Sequence, residues 1–370
     1  MQPRAWRSIV VAALLASGMV AVQAADWKQA TAGYRFEFPR DHASHPDYKI
    51  EWWYYTGNLR SADGRRFGYQ VTFFRVGIDA APVNPSRWAV RDLFMTHVAV
   101  SALNAGSDGY RFEERLNRGG PGIAGAETTR YHVWNEDWTA GLDAEGRHVL
   151  RAWGADGVDL VLDPGKPPAI NGVDGISQKG AQAGNASHYY SLTRMPTRGR
   201  LRFNGAAVDV TGESWMDHEF GTSFLEAEQQ GWDWLSIQLD DRRELMLYQL
   251  RRSDGSRDPR SSGTLMDAAG RTTYLSATDF VLTPGRNVVK APSGATYPVQ
   301  WTVVVPAHQL SLNVTTPLAN QELSTPGTGI SYWEGAIDIA GTSRGAPVKG
   351  LGYLEMTGYK GSLGRILSSS

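Results

Sequence analysis

The feature that most constrains this chain is a rhythm. From Tyr34 onward, short runs rich in β-branched and aromatic residues (IEWWYYTGNL, FGYQVTFFRV, MTHVAVSAL, YHVWNEDWTAGL, HVLRAWG, GVDLVLDP) alternate with Gly, Asp and Asn turns. Runs of that length and spacing are too short for packed helices and are those of an antiparallel sandwich or barrel. The turn SADGRR after the first run carries Asp63-Gly64, a strong hairpin signal. Composition agrees: 13 Trp, 15 Tyr and 11 Phe with 41 Gly favour strands and tight turns over helix. One stretch carries a helix start, SFLEAEQQ over residues 223–230, where Ser223 could cap and Glu226, three residues on, could close a capping box.

A chain of 370 residues exceeds the roughly 100–200 expected of one domain, so two are expected. A repeat points the same way. Setting EWWYYTGNL (51–59) on GWDWLSIQL (231–239) at an offset of 180 aligns Trp52 with Trp232, Tyr54 with Trp234 and Leu59 with Leu239. Past the next turn GYQ (68–70) falls on LYQ (247–249) at an offset of 179, as a one-residue change in a hairpin loop would give. The boundary is placed near residue 222, giving domains 26–222 and 223–370.

Residues 1–25 read as a cleaved signal peptide: Arg4 and Arg7 precede an apolar run from Ile9 to about Val22, and Val22-Gln23-Ala24 makes a small-residue cleavage site. The run is short for a span of about 20 residues, and no later segment is apolar enough, so the mature protein is expected to be secreted or periplasmic with no integral membrane segment. No cysteine is present, which excludes disulfides, thiolate nucleophiles and cysteine metal sites. A net charge of −1 argues against nucleic acid as a partner and leaves small or apolar ligands.

The densest proton-handling stretch is ESWMDHEFGTS, residues 213–223. In a strand, Trp215, Asp217 and Glu219 share one face while Ser214, Met216, His218 and Phe220 share the other, so Asp217 and His218 cannot both line one cavity without a bulge. A carboxyl beside Trp215 with apolar flanks is a candidate buried acid of raised pKa. A metal reading fails the helical two-histidine pattern, because Thr222 stands four residues after His218; a site built across strands from His218, His97 and His188 is set aside, and no metal or cofactor is expected. GTSRG, residues 341–345, fits the spacing of a hydrolase nucleophile elbow, but turn and strand signals follow it where a helix is needed. In KIEWWYYTGNL, Glu51, Trp53 and Tyr55 share a face opposite Trp52 and Tyr54. Two domains that each begin with a Trp-rich strand would build an aromatic-lined space for an elongated apolar ligand, able to stabilise cationic character over its rings. Glu51, Asp217 and Gln70 are the polar groups expected to be buried with it.

The motifs HPDYKIEWWYYTGNL, HYYSLTRMPTRGRL, VTGESWMDHEFGT, SYWEGAIDIAG and GLGYLEMTGY, in this order from about Tyr34 to Tyr359, are similar to those of the secreted AttH-like proteins related to carotenoid 1,2-hydratase (hydroxyneurosporene synthase). The resemblance implies two consecutive lipocalin-like antiparallel β-barrels with few short helices. Family members are described as secreted hydrolases or hydratases, and some resemble components encoded with ABC transporters. In the hydratase branch an Asp protonates a terminal isoprenoid double bond, aromatic rings stabilise the tertiary cation and water captures it. The matching acid here is Asp217, with Trp215 nearby and His218 or Tyr189 as helpers. The expected ligand space comprises Glu51, Trp52, Trp53, Tyr54, Gln70, His97, Tyr189, Trp232 and Trp234. The function that follows is an exported protein holding an isoprenoid or lipid and hydrating it through Asp217. Its rivals are a non-catalytic lipid-binding accessory of an ABC transporter and a secreted hydrolase, the latter without a convincing nucleophile.

Overall fold

The computed structural model describes residues 27–86, 88–222, 225–325 and 328–361; the expected signal peptide lies outside them. The described chain is all-β, organised as two lipocalin-like barrels, and its helical elements are three-residue 3₁₀ turns, Arg40–His42, Gly106–Asp108 and Pro306–His308. The first sheet is thirteen-stranded and antiparallel throughout, running from Tyr110–Arg118 at one edge through Asp92–Ala102, Arg66–Gly77, Ile50–Ser61, Ala206–Gly221 and Ala186–Phe203 to Ala124–Ala126 at the other. A bridge from Gly119 to Ala124 brings its edges together. The second sheet has ten strands and centres on Gln229–Leu239, Ala346–Thr357 and Ser331–Ser343.

Both halves share one permutation. The first long strand of each is flanked on one side by its hairpin partner (Arg66–Gly77; Glu244–Arg252) and on the other by the last strand of its half (Ala206–Gly221; Ala346–Thr357). Register makes the equivalence specific. Asp217 lies opposite Tyr54 and Glu355 opposite Trp234, so the match of Tyr54 with Trp234 carries Asp217 onto Glu355. The hairpin part of the sequence alignment is corrected. Gln70 pairs with Thr56, whereas Gln249 pairs with Asp233; the position equivalent to Gln70 is Met246, opposite Ser236. The second hairpin is shorter by two residues on each strand, closing at Gln238 and Glu244 where the first closes at Arg60 and Arg66.

The Asp63-Gly64 hairpin forms, with Gly64 at φ +85° and its N–H bonded to the Ser61 carbonyl. The expected helix does not. Ser223 is outside the described residues, Leu225–Glu228 is loop and turn, and Gln229 begins a strand. The Glu226 carboxylate accepts from Ala181 N and Asn185 Nδ2 instead of closing a capping box. GTSRG is the end of a strand and a turn at Arg344 and Gly345 with positive φ, and a second strand begins at Ala346.

The long strands are buried on both faces, which is why their sequences lack a polar alternation. Trp53, Tyr55, Tyr69, Val71, Phe73 and Met216 fill the first barrel, and Leu235, Ile237, Leu245 and Leu247 the second. The other faces meet between the barrels, where Tyr54, Tyr189, Trp215, Trp234, Tyr248 and Tyr353 form a third apolar cluster. Close approach there depends on Gly68: a Cβ at that position would stand 2.9 Å from Tyr353 Oη and 3.1 Å from Ala336 Cβ. Cross-barrel bonds tie the seam, including Asn58 Nδ2 to Gly352 O at 3.0 Å, Ser101 Oγ to Gln321 Oε1 at 2.6 Å and Lys166 Nζ to Glu244 Oε2 at 2.7 Å.

Candidate functional site

A cavity of about 180 Å³ opens between the barrels. Its walls are the outward faces of the Trp-rich strands and their neighbours: Trp52, Tyr54, Gln70, Thr72, Phe74 and His97 from the first half, Trp232, Trp234, Tyr248, Tyr332, Glu334 and Glu355 from the second, with Lys179, Tyr189, Asp217 and Glu219 between. Of the residues expected at a ligand space, Trp52, Tyr54, Gln70, His97, Tyr189, Trp232 and Trp234 stand in this wall, as does Asp217. Trp215 sits behind Asp217 in the same apolar cluster.

Asp217 is 3% exposed and its carboxyl is held by neutral donors alone: Tyr189 Oη at 2.6 Å on one oxygen, Ser191 Oγ at 2.5 Å and Trp215 Nε1 at 2.7 Å on the other. Trp234 Nε1 donates in turn to Tyr189 Oη at 3.1 Å, so the second barrel helps aim the hydroxyl that reaches the acid. Among the described residues Glu355 takes one bond, from Trp232 Nε1 at 3.0 Å. Glu334 takes one at Oε1 from Tyr54 Oη at 2.6 Å, while its buried Oε2 has no hydrogen-bond partner among the described residues. Burial pushes Asp217 up to about 7 despite its three bonds and pushes Glu355 up to about 8. Glu334 is raised well above the usual carboxylate range by burial, with the charges of Glu355 and Asp217 adding to it. The physical cause is common: acids share an apolar cavity, and the cation in its wall, Lys179, is paired with Glu219 at 3.2 Å and lies 4.0 Å from the Tyr248 ring centre. Burial also lowers His97, whose ring bridges Tyr332 Oη at 2.7 Å and Glu114 at 3.1 Å.

Three expected site residues are elsewhere. Strand parity sends Glu51, Trp53 and His218 to the opposite face, into the first barrel, and no bulge reverses it between Ile50 and Gly221. There Trp53 stacks on His218 at 5.0 Å, His218 Nε2 lies 2.9 Å from Glu51 Oε1, and the other Glu51 oxygen accepts from Arg75 Nε at 3.1 Å and from Ser44 Oγ at 2.8 Å. The grouping of Glu51 and Trp53 with the ligand space, and of His218 with Asp217, is therefore corrected. Nor are the three histidines weighed for a metal site gathered together: His97 is in the cavity wall and His188 packs on Tyr34 at 4.3 Å.

Sequence reasoning missed Glu334, Glu355, Tyr332 and Lys179. The signal for three of them is present in the sequence. SYWEGAIDIAG contains Tyr332 and Glu334. GLGYLEMTGY, laid on the WMDHEFG segment by the repeat, matches Tyr353-Leu354-Glu355 to Trp215-Met216-Asp217, an aromatic, an apolar residue and an acid in each half. Lys179, in a loop, carried no such pattern.

The family comparison matches residues 29–359 to the AttH-like family. Among solved structures, an AttH-type protein from Nitrosomonas europaea is 32% identical, with 90% of this chain and 99% of that one covered and a TM-score of 0.80. Kievitone hydratase from Nectria haematococca shares the fold at 15% identity, covering 90% of this chain and 95% of that one, with a TM-score of 0.68. Among curated proteins no match is found.

Proposed function

The chain belongs to the AttH-like family, and from that premise we propose that it binds an apolar isoprenoid or lipid between its barrels and hydrates a carbon–carbon double bond by acid catalysis through Asp217. The observation that carries this reading is Asp217 itself, a buried carboxyl in an aromatic cavity, paired with no cation among the described residues and pushed up to about 7. A carboxyl so placed keeps its proton near neutral pH and can donate it. Protonation of the less substituted alkene carbon leaves a tertiary cation, which the faces of Trp52, Tyr54, Trp232 and Trp234 can stabilise. Water adds to the cation, and the proton it sheds returns to the Asp217 carboxylate, closing the balance. The volume sharpens the ligand. A cavity of roughly 150 Å³ holds a benzene-sized molecule, so about 180 Å³ takes the prenyl-sized reacting end while the remaining length extends outward. Hydration is also the reaction in the name of the kievitone hydratase, though that likeness bears on the fold alone. Export by the N-terminal signal belongs to the same proposal and would put the protein where envelope lipids are met.

A second reading, ligand carriage without chemistry as an accessory of an ABC transporter, is favoured by the three donors that fix the Asp217 carboxyl and could serve structure alone. Purification from a periplasmic extract followed by mass spectrometry of co-extracted molecules identifies the ligand class; recovery of water-soluble molecules alone would defeat the apolar-ligand proposal. Incubation of the recovered alkene in ¹⁸O-labelled water then separates the readings. Label in the product, about 100-fold less or lower still with Asp217→Asn, supports hydration, whereas ligand bound unchanged by both proteins leaves carriage.

A further inference from the structure

The face opposite the cavity has no part in that chemistry, yet it gathers His45, Glu51 and His218 so that one ligand atom of each lies within 4.8 Å of the others. His45 Nδ1 and His218 Nε2 each stand 2.9 Å from the same oxygen, Glu51 Oε1. The outer nitrogens fix the ring tautomers. His218 Nδ1 is 3.0 Å from the Asp41 carbonyl, which can only accept, and 3.1 Å from Tyr190 Oη, whose own proton points to that carbonyl, so Nδ1 carries the ring proton. His45 Nε2 lies 3.3 Å from Asp41 Oδ1 and 3.2 Å from Tyr34 Oη, and Tyr34 gives its own proton to that Oδ1 at 2.9 Å, so Nε2 is the protonated nitrogen here too. Both inner nitrogens then turn lone pairs toward an oxygen that offers lone pairs of its own. Positive charge has to sit among the three atoms.

We propose that this charge is a divalent cation of the zinc type, held by His45 Nδ1, His218 Nε2 and Glu51 Oε1. Two imidazoles and a carboxylate are a ligand set that such ions accept. Outer hydrogen bonds from each ring to a carboxylate or a backbone carbonyl are the support that metal-binding histidines use, and Asp41 supplies both. The second oxygen of Glu51 is pinned by Ser44 and Arg75, and the His45 N–H reaches both oxygens at 2.9 and 3.0 Å, so the carboxylate is oriented before any ion arrives. The guanidinium of Arg75 is itself paired with Asp92 at 2.9 Å, which with Asp41 offsets the added charge. Phe220 stacks on His45 at 3.6 Å and Trp53 on His218 at 5.0 Å, walling the site with rings. These surroundings suit a structural ion. It would staple the segment before the first strand to the first and last strands of the barrel, in a chain that has no cysteine to do so.

The full-length protein, stripped with a chelator, equilibrated with zinc ion and desalted, is analysed for bound metal. One zinc per chain in the wild type, lost in His45→Ala and bound about tenfold more weakly in Asp41→Asn, supports the site. No retained zinc in the wild type, or equal retention in His45→Ala, overturns it and leaves two added protons as the charge. If His45→Ala does not fold, the wild type alone decides: a rise in unfolding temperature with zinc that magnesium does not reproduce supports the ion, and no rise excludes it.

Discussion

Glu51 and Asp217 lie on neighbouring strands, three register positions apart, and both are sealed from water at 0% and 3% exposure. Their charge states nevertheless diverge. Burial alone would raise Glu51, but its contacts with the His218 and His45 rings and the charge of Arg75 hold it well below the usual carboxylate range. Asp217 meets hydroxyl and indole donors with no cation among them, and burial prevails. Parity of the strands separates the two, one turned into a barrel and one into the seam between barrels. Burial fixes how much a charge matters, whereas the partners on that face fix its sign.

The largest consequence concerns the ionised side. Glu51→Gln leaves Arg75, buried at 1% exposure, with Asp92 as its remaining carboxylate partner, and loss of one member of a buried pair costs up to about 3–5 kcal/mol. Urea unfolding measures it; a variant as stable as wild type would mean that Glu51 is not the anion described. The neutral side predicts a slope. The folded pKa of Asp217 is raised above its unfolded value, so between about pH 4 and 7 the folded state holds a proton that the unfolded state has lost, and stability falls as pH rises through that window. With 1.36 kcal/mol per pKa unit, the full fall is up to about 4 kcal/mol. Asp217→Asn does not titrate, so its stability curve over this range should be flatter than that of the wild type; parallel curves would show that Asp217 is ionised throughout. Tyr54→Phe is smaller still. It strips Glu334 of its hydrogen bond, and a buried acceptor left unsatisfied costs about 1–3 kcal/mol in thermal unfolding; no loss would show that Glu334 has another partner.

How far the sequence reached follows the same division between faces. Alternation of side chains assigns Asp217 and His218 to opposite sides, and that separation holds in the structure because Ala206–Gly221 pairs with Ile50–Ser61 without a bulge. What alternation cannot say is which side is cavity and which is barrel, since both faces of these strands are apolar. Glu51 and Trp53 were accordingly drawn to the wrong side. The repeat is legible through Trp52 and Trp232, but the match of GYQ with LYQ puts its hairpin out of register, because cross-strand pairing leaves no mark in the sequence. His45, which completes the Glu51 cluster, was legible only as one of eight scattered histidines. It sits in a loop six residues before its partner and depends on the 3₁₀ turn Arg40–His42 to bring it back.

Arg40 offers the finest test of the comparison. It bonds Asp41 through Nε at 2.9 Å, and Asp41 belongs to the same ionised network as Glu51, yet the Arg40 side chain is 53% exposed. Water and salt screen that charge, whereas Arg75 is screened by neither. Asp41 also keeps the Glu37 N–H and the Tyr34 hydroxyl when Arg40 is removed. Arg40→Ala should therefore cost no more than about 1 kcal/mol at low ionic strength, and the loss should vanish in high salt while that of Glu51→Gln persists. Equal, salt-independent losses from the two variants would show that position in the network, and not burial of the cation, decides what a charge contributes here.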